Sequence, residues 1–132
     1  MTFAYLVDTD WAIHHLNGNR AVIERLEALH PDGLGLSVAA LAELYEGVYY
    51  SRDPEESERK LNDFLDSVSI VGLDEETARI FGRERGRLRS IGQRIGDMDL
   101  MIAATALQYD LTLLSNNRRH FDRIDGLRIE SI

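Results

Sequence analysis

Residues 96–117, GDMDLMIAATALQYDLTLLSNN, read as a helix that feeds a strand. Leu100, Ala103, Ala104 and Leu107 recur at helical spacing, so the helix is expected to start at Asp97, an acid suited to a cap. The small residues Ala103, Ala104 and Ala106 allow a helix to lie close against a sheet. Leu111–Ser115 is a short apolar run ended by Asn116 and Asn117, the pattern of a buried strand running into a turn.

The same alternation extends in both directions. Phe3–Val7 is an apolar run that stops at Asp8. A short helix is expected from Asp10 to Leu16, closed by Asn17-Gly18-Asn19. Ala21, Ile23, Leu26 and Leu29 suggest a second helix, stopped by His30-Pro31-Asp32-Gly33. Leu34–Val38 reads as a second strand, and Ser37 can cap a helix that carries Leu41, Leu44, Tyr45 and Val48 on one stripe. Asp53-Pro54 opens a further helix, Ile70–Leu73 reads as a third strand, and Asp74 caps a long polar helix to about Ser90. Leu127–Ile129 offers a fifth strand. Strands alternating with helices predict an α/β fold with a mainly parallel central sheet of four or five strands.

The chain has 132 residues, which suits a single domain spanning 1–132. It contains 44% hydrophobic residues, 29% charged residues and 2 Pro, so disorder is not expected. There is no Cys, which excludes a disulfide framework, a Cys-ligated metal and a thiol nucleophile, and is compatible with a reducing cytoplasm. No apolar run is long enough to span a bilayer, and MTFAYLVDTD does not have the form of a signal peptide. The net charge is −8, so a generic basic nucleic-acid surface is absent. If a phosphate is bound, a cation must neutralise acid where it sits. The basic residues are 14 Arg and Lys60 alone. Arg79, Arg83, Arg85, Arg87, Arg89 and Arg94 cannot share one helix face, so most are expected to be solvated.

Ligands of open α/β sheets bind at the carboxyl ends of the strands, which draws attention to the acids that follow them. Asp8 ends the first strand and could simply cap the next helix. Glu43 lies in an apolar helical setting, ALAEL, where a carboxylate needs a partner or a cleft, and Glu46 follows at i+3. Asp97 and Asp99 begin the central helix, where the helix dipole favours acids. With Asp97 at the cap, Asp99 looks outward from the first turn. Asn116 and Asn117 could form a polar turn or ligate a hard cation. Asp8, Glu43 and Asp99 clustered at one sheet end would repel one another, and a divalent cation removes that penalty. Oxygen-only ligands favour Mg2+ or Mn2+, and the natural chemistry is metal-assisted phosphodiester hydrolysis. His14, His15, His30 and His120 lack metal-site spacing and read as surface or loop residues. Trp11 reads as packing on the first helix. Arg118 and Arg119, beside Asn117, are candidates for phosphate contact.

Taken together, LVDTD, SVAALAELYEG, IGDMDLMIAATAL and LTLLSNNRRHFDRIDGLRI resemble a PIN-domain ribonuclease of the VapC toxin kind over almost the whole chain. The resemblance implies a PIN-like α/β/α sandwich. It implies an endoribonuclease with Asp8, Glu43 and Asp99 as metal-binding catalytic acids and Mg2+ or Mn2+ as cofactor. Asp97 then serves as a further ligand or as a helix cap. Thr9 matches a hydroxyl position that supports the metal. The fourth acidic position falls on the SNN segment, at Asn117. The resemblance also implies an RNA substrate, a homodimer and a small cognate antitoxin. Asp8-Thr9-Asp10 bears a thinner resemblance to a haloacid-dehalogenase-like phosphatase, but position 12 is Ala and the sole Lys is Lys60. A PIN-like module kept only for partner binding is the non-enzymatic alternative.

Overall fold

The computed structural model describes residues 3–132. In chain order the elements are β1 (Tyr5–Val7), α1 (Thr9–Leu16), α2 (Arg20–Leu29), a 3-10 turn (His30–Asp32), β2 (Leu34–Ser37), α3 (Val38–Tyr50) and α4 (Pro54–Leu65). They continue with β3 (Ser69–Val71), α5 (Glu75–Ser90), α6 (Asp97–Gln108), β4 (Thr112–Leu114), α7 (Arg118–Phe121) and β5 (Ile129–Glu130). The strands form one sheet in the order β3-β2-β1-β4-β5, with every pairing parallel. Among the described residues seven α-helices flank this sheet in an α/β/α arrangement.

The chain builds outward from β1 through β2 to β3, then crosses back to lay β4 on the other side of β1. The strand order therefore reverses between β1 and β4, the point at which such sheets open a crevice at their carboxyl ends. Asp8 follows β1 directly and Ser115 follows β4 directly, so the reversal brings together residues more than 100 positions apart.

The strands are short and apolar because both faces are covered. Leu6, Val7, Leu36, Leu113 and Leu114 are completely buried. Gly35 of β2 is needed for close approach, since a Cβ there would stand 2.6 Å from the Phe3 ring. In α6, Ile102 to Ala106 are buried in unbroken succession. The three alanines in that run let the helix sink between the sheet, α3 and α5, so its whole circumference reads as core. Trp11 of α1 is fully buried, and its indole Nε1 donates to Asn116 Oδ1 at 3.0 Å. Among the described residues no helix is long and apolar enough to cross a membrane.

Several expected caps are present. Ser37 accepts from Ala39 N, Asp53 from Glu56 N and Asp74 from Thr77 N. Asp97 is different: Gly96 is the N-cap of α6, and Asp97 is the first helical residue. Its side chain turns to the Arg85 guanidinium instead, an attraction that local capping rules do not register. Asn116 lies in a bend, as the turn reading expects, and the short helix α7 follows it at Arg118–Phe121, while β5 lies at Ile129–Glu130 rather than Leu127–Ile129.

Candidate metal centre

Asp8 occupies the N-cap position of α1 yet gives that helix no side-chain bond. Its Oδ2 instead accepts from Ser115 Oγ at 2.7 Å. The residue is 3% exposed, and its Oδ1 is buried with no hydrogen-bond partner among the described residues. Burial, reinforced by the charge of Asp10, pushes the Asp8 carboxyl up to about 8, with the Ser115 bond opposing. Asp10 shares this condition in part. Its Oδ2 accepts from Asn116 N at 3.0 Å, while its Oδ1 is buried and unpartnered.

Glu43 lies on α3, whose start at the end of β2 brings its second turn to the same sheet edge. Thr9 Oγ1 donates to Glu43 Oε1 at 2.7 Å, joining the residue after Asp8 to a helix 34 positions away. Burial pushes the Glu43 carboxyl upward, the Thr9 bond opposes this, and the charges of Asp99 and Glu46 add to the rise.

Asp99 sits in the first turn of α6. Its Oδ2 lies 2.8 Å from His120 Nδ1 and accepts from Asn117 Nδ2 at 3.3 Å. Asn117 N in turn donates to Ser115 Oγ at 3.0 Å. Ser115 thus links both halves of the site, with one bond to Asp8 and one from the residue that holds Asp99. Around the strand-order reversal, hydrogen bonds link Asp8 to Asp99 through Ser115 and Asn117, and Glu43 to Thr9, the residue after Asp8.

Other candidates fall at different distances from this network. Thr9 and Asn117 belong to it. The Asn116 side chain turns away, accepting from Trp11 Nε1 and from Ile132 N, so it braces the wall of the site. Asp97 is largely exposed and engaged by Arg85, which also lies over the Phe81 ring. Arg118 is held by Asp122 at 3.1 Å and by the carbonyl of Ile129. Arg119 is exposed and makes no ion pair among the described residues.

Two participants were not singled out in the sequence. Ser115 looked like the end of a strand, and only the 107-residue jump to Asp8 reveals its role. His120 is corrected from a surface or loop reading. Its spacing of three from Asn117 on a helical turn is the local signal that places both on one face.

The donor set suits a hard dication. Asp8 presents a buried oxygen without a donor, Glu43 feels the charge of Asp99, and the three acids offer oxygen ligands. Among the described residues no three His, Asp or Glu side chains are already arranged to hold a metal ion alone. A cation that retains several waters, as Mg2+ does, asks less of the protein.

Comparison with known proteins identifies the family. The PIN domain family model matches residues 5–127. The chain is similar to Ribonuclease VapC2 of Haemophilus influenzae, 33% identical over 129 residues and 96% of each chain. It is similar to the tRNA(fMet)-specific endonuclease VapC of Shigella flexneri, 29% identical over 126 residues and 96% of each chain. Among solved structures it resembles VapBC2 from Rickettsia felis bound to a DNA fragment from their promoter. There the TM-score is 0.94 at 30% identity, covering 98% of this chain and 99% of that one. The haloacid-dehalogenase-like reading is thereby set aside, and the chain belongs to the PIN domain family.

Proposed function

We propose that this protein is a divalent-metal-dependent endoribonuclease, the toxin of a toxin–antitoxin pair, with Asp8, Glu43 and Asp99 holding Mg2+ or Mn2+. Membership of the PIN family and the ribonuclease names of the relatives support this reading. The observation that carries it is the buried, unpartnered Oδ1 of Asp8, beside a network that reaches Asp99 through Ser115 and next to the Thr9 bond that holds Glu43.

When bound, the dication supplies an activated water and neutralises charge on the scissile phosphate. The residues of the chain prepare for that chemistry. Thr9 orients Glu43, and Ser115 orients Asp8. Asn117 and the ring of His120 steady Asp99. Asp97 is paired with Arg85, so the cation would be held by Asp8, Glu43 and Asp99. Arg119 is the freer of the two arginines for an RNA phosphate, and Arg118 joins it only by releasing Asp122. The reading includes a single domain over residues 1–132, of which 1–2 lie outside the described residues. It also includes action as a homodimer in the cytoplasm. Control by a small antitoxin is part of the same reading, and the similarity to VapBC2 from Rickettsia felis supports that part.

The test is cleavage of RNA by purified, metal-stripped protein. Cleavage is expected only with added Mg2+ or Mn2+, and Asp8→Asn and Asp99→Asn are each expected to remove most of it while remaining folded. Cleavage in excess chelator, or retained by either variant with Mn2+, overturns the reading. A folded wild type that neither cleaves nor gains stability from either metal supports the non-enzymatic module instead.

A further inference from the structure

We propose that His120 is a positioning residue of the metal centre, holding the Asp99 carboxylate by donating its Nδ1–H to Oδ2; this rests on the metal-dependent reading above. Three polar atoms form a triangle here. His120 Nδ1 lies 2.8 Å from Asp99 Oδ2, Asn117 Nδ2 lies 3.3 Å from the same oxygen, and the two nitrogens are 3.2 Å apart. A carboxylate oxygen accepts, so the tautomer with its proton on Nδ1 completes the shortest contact. A protonated Nδ1 has no lone pair for Asn117, whose amide therefore also donates to Asp99. Both donors fall on Oδ2. Among the described residues Oδ1 of Asp99 receives none, so the pair pins one oxygen and leaves the other free for a cation.

The ring is held firmly enough for this task. His120 N and Phe121 N both donate to the Asn117 carbonyl, at 3.3 and 3.2 Å. The neighbouring Phe121 is fully buried, anchoring α7 in the core. The side chains of His120 and Asp99 are 36% and 23% exposed, so their bond is only partly diluted by water. Partners that hydrogen-bond a ligating carboxylate fix its orientation for the metal.

The experiment compares His120→Ala, His120→Asn and His120→Gln with the wild type. It follows the rise in melting temperature as Mn2+ is added to metal-free protein, and RNA cleavage in parallel. Loss of the Nδ1 donor in His120→Ala is expected to weaken apparent Mn2+ affinity roughly ten- to hundredfold. Asn carries its amide nitrogen the same number of bonds from the backbone as His Nδ1, so His120→Asn is expected to restore affinity and cleavage. In Gln the nitrogen is one bond further out, and His120→Gln is expected to behave like Ala. Wild-type Mn2+ affinity in His120→Ala, or restoration by Gln and not by Asn, overturns the proposal while leaving the nuclease reading intact. Should His120→Ala fail to fold, the contrast between Asn and Gln decides alone. A wild type that Mn2+ does not stabilise overturns the metal reading, and this proposal with it.

Discussion

Two sets of carboxylates in this chain receive opposite treatment. Asp74, ahead of α5, accepts from Thr77 N at 3.1 Å and from Gln108 Nε2 at 2.9 Å, and these donors hold its carboxyl below the usual range. Glu130 on β5 receives two bonds from the Arg25 guanidinium, at 2.7 and 3.0 Å, and is likewise lowered. Asp8 and Glu43, at the reversal between β1 and β4, have too few donors for their burial and are raised. The first pair fastens elements together and is satisfied by the protein alone. The second pair lacks such donors, so burial favours the protonated form until a cation takes the place of the proton. On the proposed reading, a carboxylate's surroundings, more than its presence after a strand, set Asp8 and Glu43 apart from the structural acids.

This contrast can be broken most directly at Glu43. Glu43→Gln keeps the shape and removes the charge, so cleavage is expected to fall by about tenfold or more, equivalent to ~1.4 kcal/mol of transition-state stabilisation. The melting temperature of the metal-free protein should hold or rise. Unchanged cleavage in a metal-supplemented assay would place Glu43 with the structural acids.

A second test uses pH. The folded-state value of Asp8, about 8, lies above its ordinary 3.8, so the folded protein retains this proton after the unfolded chain has released it. The associated stability is fully present below 3.8 and is lost as pH rises through about 8. Metal-free wild type should therefore lose stability across that interval more steeply than Asp8→Asn, with the variant ahead at the alkaline end. Parallel melting curves across the interval would contradict the assignment.

Among the satisfied acids the effects are smaller and opposite in kind. Asp74→Ala removes a capping bond and should lower stability modestly, measured by urea unfolding, with RNA cleavage unchanged. A loss of cleavage at wild-type stability would blur the distinction between the two sets. Glu130→Gln should cost less still, under ~1 kcal/mol, because the pair with Arg25 is partly exposed. Its folded value is lowered below the ordinary 4.5, so its contribution is present above 4.5 and disappears as pH falls through the folded value. Wild type and variant should differ in urea near neutrality and coincide in acid.

What could be read without the fold follows the range of the forces involved. The caps at Ser37, Asp53 and Asp74 were legible because each bond spans two or three residues. Asp97 reads as a cap in the sequence because the competing guanidinium of Arg85 lies 12 residues earlier, beyond any capping window. α7 has no signature in the sequence because four residues carry too little periodicity.

The order of residue types along the chain was sufficient to establish alternating strands and helices, acids at the strand ends, and Asp8, Glu43 and Asp99 as candidates. Hydrophobic period and capping chemistry act over a few residues, and that order records them directly. Tertiary structure alone decided that Ser115 would join Asp8 to Asn117, that Thr9 would engage Glu43, and that His120 would face Asp99. Those partners meet only after β4 crosses back beside β1, and a hydrogen bond depends on where two atoms finish in space, whatever length of chain lies between them.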